Sequence, residues 1–165
     1  MFTCTLAQAQ IFKDISIPTR VTDAAKKNLL ADVYGSDSTT PKPVILIQTP
    51  YNKGLYRLAL GTLGGQSGAG IPYDTTKFNY VMVDWRGFYA NKDADITPYN
   101  RGLDGYDIVE WIATQPWCNG KVGTWGGSAL GQIQFQTAAQ KPPFGLCRTV
   151  YKGFQDQIRG LLLWW

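Results

Sequence analysis

The 165 residues contain no histidine, and that absence excludes more than any single residue present implies. No imidazole is available as general base, general acid or metal ligand. Cysteine is scarce as well. Cys4, Cys118 and Cys147 make an odd count without metal-site spacing, and the last two lie too far apart in sequence to infer a bridge. No apolar run approaches the eighteen or so residues that a helix needs to cross a bilayer, so no membrane partner is expected. The net charge of +4 comes from scattered lysines and arginines with acidic residues between them, which argues against a nucleic-acid surface. No internal repeat is visible. What is present is a globular composition, 44% hydrophobic and 17% charged. A chain of this size can bury roughly 70% of its unfolded surface, enough for several strands and two or three helices.

Residues 1–10 close on Ala7-Gln8-Ala9, a small-x-small arrangement of the kind signal peptidase cleaves, directly before a strand-like segment. The expectation is a remnant of a signal peptide, and with it a secreted or periplasmic location.

Ile11–Ile17 and Leu29–Tyr34 read as edge strands, each with one polar face. Val44-Ile45-Leu46-Ile47, Tyr80-Val81-Met82-Val83 and Val122-Gly123-Thr124-Trp125 are short, mostly β-branched or aromatic runs without alternation. Such runs suit strands covered on both faces, so the fold class is α/β, a parallel sheet with flanking helices. Leu103–Thr114 has helical spacing, with Asn100 or Asp104 as cap and Pro116 as its stop. A second helix is expected from Ala129 to about Gln140, ended by Pro142-Pro143. Gly61–Gly70 reads as a flexible loop, since it lacks the Gly-Lys-Ser/Thr ending of a P-loop.

The chemistry is expected where Val122–Trp125 meets Gly126-Gly127-Ser128-Ala129-Leu130-Gly131 and then a helix. A serine in a strand-turn-helix elbow is held in a strained conformation at the carboxyl end of the sheet. Gly126 and Gly131 would let the strand and helix backbones pass closely there. The pattern Gly-x-Ser-x-x-Gly alone leaves three readings open: a nucleophile, a phosphate-seating turn, and a structural turn with a helix-capping serine.

The segment Asp104 to Ser128, with Asp107-Ile108-Val109-Glu110-Trp111-Ile112 and Gln115-Pro116-Trp117-Cys118-Asn119-Gly120-Lys121-Val122-Gly123 inside it, resembles the Xaa-Pro dipeptidyl-peptidase and cocaine esterase group of α/β-hydrolases. That group also holds the α-amino acid ester hydrolases. Thr49-Pro50-Tyr51-Asn52-Lys53 resembles its Thr-Pro-Tyr-x-Lys segment, and Asp84-Trp85-Arg86-Gly87 its Asp-x-Arg-Gly turn. The resemblance runs over residues 11–141 and implies a serine hydrolase of peptides or esters that works through an acyl-enzyme without a cofactor or metal. It makes Ser128 the nucleophile and assigns the oxyanion hole to the Ala129 N–H and the Tyr51 hydroxyl, both able to donate to a developing negative oxygen. Asp84 and Arg86 are expected to brace their loop as a carboxylate–guanidinium pair. Trp111, Trp117 and Trp125 are expected in the core or a pocket wall.

Two departures bear on pocket shape: Ala129 stands where the group commonly has tyrosine, and Phe88-Tyr89-Ala90 where small residues are usual. The larger departure is the rest of the triad. In this fold an acid and then a histidine follow the serine. Here only Asp156 is acidic after Ser128, and Phe144–Trp165 shows no resemblance. The expectation is therefore 11–143 as the N-terminal part of a hydrolase domain, 144–165 as a divergent tail, and a truncated form without the triad acid and histidine. A catalytically silent binding domain on the same scaffold and a nucleotide-binding domain are the alternatives.

Overall fold

The unalternating runs need hydrogen-bonded neighbours on both sides and apolar cover on both faces, and a single sheet supplies both. The structure, a computed structural model, describes residues 10–20, 28–35, 37–62, 73–94, 100–143 and 146–151. Its elements are β1 (Gln10–Ile17), β2 (Leu29–Tyr34), β3 (Lys42–Thr49), α1 (Lys53–Thr62), β4 (Asn79–Asp84), a 3-10 turn at Tyr89–Asn91, α2 (Arg101–Ala113), β5 (Cys118–Gly126), α3 (Ala129–Ala139) and β6 (Leu146–Tyr151). The six strands lie in the order β1-β2-β4-β3-β5-β6. β4, β3, β5 and β6 run parallel, while β2 is antiparallel to both β1 and β4.

Side chains of the central strands divide between two cores. Val44, Leu46, Val81, Val83 and Val122 pack with Ile108, Val109 and Ile112 of α2 and with Trp117. Ile47, Tyr80 and Met82 pack on the opposite face with Tyr34, Tyr56 of α1 and Leu130 of α3. Trp117 is thus a core residue, whereas Trp111 and Trp125 are half-buried against the two clusters. Helix α2 starts where Asn100, in extended backbone, accepts the Gly102 N–H at 2.8 Å. Asp104, in the first turn, pairs with Arg86. Close contact between α2 and α3 depends on Gly105, where an added Cβ would lie 1.9 Å from Thr137 Oγ1.

Two expectations are corrected. β2 is not an edge strand, for it lies between β1 and β4. Its polar residue Asp32 is fully buried and meets ions rather than water. Gly61 is not loop but part of α1, whose glycines at both ends, Gly54 and Gly61, weaken its helical signature. Within the segment expected as a divergent tail, Leu146–Tyr151 pairs in parallel with β5 as a sixth strand. The leader remnant 1–9, residues 63–70, Asp156 and the apolar end at 161–165 lie outside the described residues.

Asp32 belongs to a cluster of four ions that joins β1, β2 and α1. The Lys53 ammonium, 1% exposed, lies 2.9 Å from Asp32 Oδ1 and also pairs with Asp14. Arg57 donates to Asp32 Oδ2 at 2.5 Å and to Asp14 at 2.6 Å, and the Asp14 N–H donates to Asp32 at 3.0 Å. Burial alone would push the Asp32 carboxyl up, but the Arg57 guanidinium, the Asp14 N–H and the Lys53 ammonium outweigh it and hold it below its ordinary value. Asp14 is lowered in the same way, with burial opposed by Lys53 and Arg57.

Two outcomes follow. Gly105→Ala forces overlap between helices with little room to part, and equilibrium urea unfolding should show a loss of about 1–3 kcal/mol. Because Asp14 and Asp32 titrate lower when folded than their ordinary 3.8, their stabilisation is present above that value and is lost as pH falls through the folded values. The urea midpoint should therefore fall on acidification below about pH 4, and Asp14→Asn should flatten part of that slope.

Candidate active site

Ser128 joins a covered strand to a helix with almost no connecting chain, and its backbone records the consequence. It sits at φ 54, ψ −125 before the first turn of α3, and its side chain makes no capping hydrogen bond. Positive φ at a non-glycine residue costs about 1–3 kcal/mol, and an unused serine cap forgoes roughly another 1 kcal/mol. A turn serving only to connect β5 to α3 would need neither. The side chain is exposed. Gly126, at φ 138, has no room for a side chain, since a Cβ there would come 2.4 Å from that of Leu130. Gly131 is buried in the first turn of α3, where its N–H is shared between the Gly127 and Ser128 carbonyls at 3.3 and 3.0 Å. Ala129 is the first residue of α3, so its N–H has no acceptor within the helix.

Two residues that sequence reading did not single out brace this elbow. Thr124 Oγ1 donates to Gln134 Oε1 at 3.1 Å, and Gln134 Nε2 donates to the Gly126 carbonyl at 3.0 Å. All three residues are buried, so the strand end is tied to the helix body from beneath.

Tyr51 leaves the same edge of the sheet. β3 and β5 are parallel neighbours with Leu46 opposite Thr124, and the same register continued puts Gln48 beside Gly126. Neighbouring strands are about 4.8 Å apart, so the loops after Thr49 and Gly126 emerge side by side. Tyr51 is 50% exposed, and its N–H donates to Thr49 Oγ1 at 2.9 Å. Asn52 follows at φ 73, and its side chain accepts the Gly54 N–H at 2.9 Å. The Lys53 N–H then donates to Asp84 Oδ1 at 2.7 Å.

Asp84 and Arg86 both brace, but not each other. Asp84 receives Lys53 N–H on one oxygen and Ala90 N–H on the other at 3.2 Å, and burial pushes its carboxyl up despite those two donors. Arg86 pairs instead with buried Asp104 at 2.7 Å and reaches Thr19 Oγ1 at 2.9 Å. Asp84 already has a backbone N–H on each oxygen, whereas both oxygens of Asp104 meet the Arg86 guanidinium. Phe88, at a position expected to be small, packs edge-on against Trp85 at 5.9 Å, with the Arg101 guanidinium 4.9 Å above the Trp85 ring. Among the described residues no group of histidine, cysteine, aspartate and glutamate is placed to hold a metal ion.

Comparison with known proteins agrees with this architecture. The cocaine esterase of Rhodococcus sp. (strain MB1 Bresler) is 32% identical over 110 residues, 67% of this chain and 18% of that enzyme. A CocE/NonD family hydrolase from Staphylococcus aureus superposes with a TM-score of 0.62 at 25% identity, over 83% of this chain and 26% of its own. An aminopeptidase from a marine sediment archaeon, Thaumarchaeota archaeon, shares the fold with a TM-score of 0.62 at 21% identity, over 82% of this chain and 24% of its own. The chain thus spans about a fifth to a quarter of the length of these three proteins. The fold is that of the α/β-hydrolases. The model of the X-Pro dipeptidyl-peptidase (S15) family matches residues 27–148, and the chain belongs to that family of hydrolases.

Proposed function

We propose that Ser128 is the nucleophile of a serine hydrolase acting on small peptides or esters, with the Ala129 N–H and the Tyr51 hydroxyl as its oxyanion donors. The observation that carries this reading is the backbone of Ser128, left-handed and uncapped with the side chain exposed. A phosphate-seating turn has no use for a strained serine, because there the helix N–H groups do the work and glycine meets the geometry at lower cost. Membership of a family whose relatives are named as peptidases and esterases supports the same class, and attack at an acyl carbon is common to both substrates.

In this mechanism a base takes the Ser128 proton, and Oγ bonds to the carbonyl carbon. The carbonyl electron pair moves to oxygen, where the two donors hold it. As the intermediate collapses, the leaving amine or alkoxide departs with a proton. Water then releases the acid from the acyl-enzyme by the same steps. The base in this chemistry is a histidine, and none of the 165 residues is one. In this reading the imidazole is supplied from outside these residues, and loss of a triad member generally leaves about 10³–10⁴-fold acceleration over water from binding and the oxyanion donors.

Fluorophosphonate labelling with imidazole as external base tests the assignment. The phosphonyl mass should appear on the Ser128 peptide and be absent from Ser128→Ala. A wild-type chain unlabelled at Ser128 would overturn it. Tyr51→Phe removes one oxyanion donor with little change of shape, and labelling should slow by about 10²–10³-fold.

A further inference from the structure

A half-exposed phenol on a short loop has little packing to aim it, so its direction is set by the backbone beneath. That backbone is held at both ends. Thr49 Oγ1 takes the Tyr51 N–H at 2.9 Å, and Asp84 Oδ1 takes the Lys53 N–H at 2.7 Å, two residues further on. Thr49 and Asp84 are both 0% exposed and stand directly opposite each other between β3 and β4. Between the two anchors, Asn52 at φ 73 turns the chain, and the Lys53 ammonium is pinned 2.9 Å from Asp32.

We propose that Thr49 and Asp84 are positioning residues for the Tyr51 hydroxyl, fixing both ends of its loop so that the phenol reaches the oxyanion formed at Ser128. This rests on the reading of Tyr51 as an oxyanion donor. Asp84 must be a carboxylate for the purpose, because it serves two N–H donors from two loops, Lys53 on one oxygen and Ala90 on the other. An asparagine keeps the shape but offers a single oxygen and turns an NH₂ toward the second donor. Valine at position 49 likewise keeps the shape and removes the acceptor, also releasing the Tyr56 hydroxyl that bonds there.

A double-mutant cycle separates positioning from general structural support. The readout is the rate at which an activated aryl ester acylates Ser128 in the 165-residue chain, with imidazole as external base. Oγ bonds to the acyl carbon, the aryl oxide leaves, imidazole takes the serine proton, and the product is the mass increment on the Ser128 peptide. Asp84→Asn and Thr49→Val should each slow acylation by about tenfold in the Tyr51 background and change it by less than about twofold in Tyr51→Phe. Equal losses in both backgrounds, or no loss in either, would overturn the proposal while leaving Tyr51 as a donor. If Tyr51→Phe matches wild type, or wild type is not acylated, the reading beneath it fails and the proposal with it. Should Asp84→Asn not melt cooperatively, Thr49→Val decides alone.

Discussion

A lysine ammonium with 1% of its side chain exposed cannot stay charged without a partner, and in this chain the partner is Asp32, 2.9 Å away in the middle of β2. Much of the local geometry depends on that constraint. Buried ion pairs are weak evidence for net stability, because removing two charges from water offsets most of their attraction. Breaking one is costly nonetheless, typically 3–5 kcal/mol, because it strands the remaining charge. The pair therefore acts more as a register pin than as a source of stability. Lys53 has to sit over Asp32, so α1 has to start there, and the loop between Thr49 and Lys53 has to be short and sharply turned. Asp14 and Arg57 complete the charge balance and draw β1 onto the same point.

What could be read from the sequence follows from how local each interaction is. The central strands showed themselves because burial on both faces removes alternation, as in Val44–Ile47 and Tyr80–Val83. The two long helices were readable from spacing together with nearby stops at Pro116 and at Pro142-Pro143, and β5, the glycine turn and α3 are contiguous. Asp32 misled because its partners lie 21 and 25 residues away, and an aspartate within a strand looks the same whether it faces water or a buried lysine. Arg86 was given the wrong carboxylate for the same reason, since Asp84 is adjacent in sequence while Asp104 is adjacent in space. The brace from Thr124 through Gln134 to Gly126 spans a turn of helix and a strand end, and nothing in the spacing announces it.

Backbone strain is also unevenly placed. Among the described residues, Asp14, Asn52, Tyr89, Ser128 and Lys141 are the non-glycine residues at positive φ, and three of the five lie in the connections after β3, β4 and β5. Those strands are parallel, so all three connections leave one edge of the sheet. At about 1–3 kcal/mol each, such conformations persist only where the surroundings over-determine them. Here the surroundings are hydrogen bonds to buried side chains: Thr49 and Asp84 around Asn52, Asp84 with Ala90 beside Tyr89, and Gln134 beneath the elbow.

That distribution separates two jobs within one small sheet. The interior strands supply most of the buried core, β4 along its whole length, and hold the register. The carboxyl edge holds three of the five strained residues and exposes a serine and a tyrosine on neighbouring connections, at the edge where α/β sheets bind ligands. A donor pair aimed in advance at where charge will develop avoids reorganisation at the moment of reaction, and in a water-poor site its value rises. The carboxylate of Asp84 joins the two jobs. It ends a core strand and receives N–H groups from two of the three strained connections, so the rigidity of the sheet is passed to the edge through one buried residue.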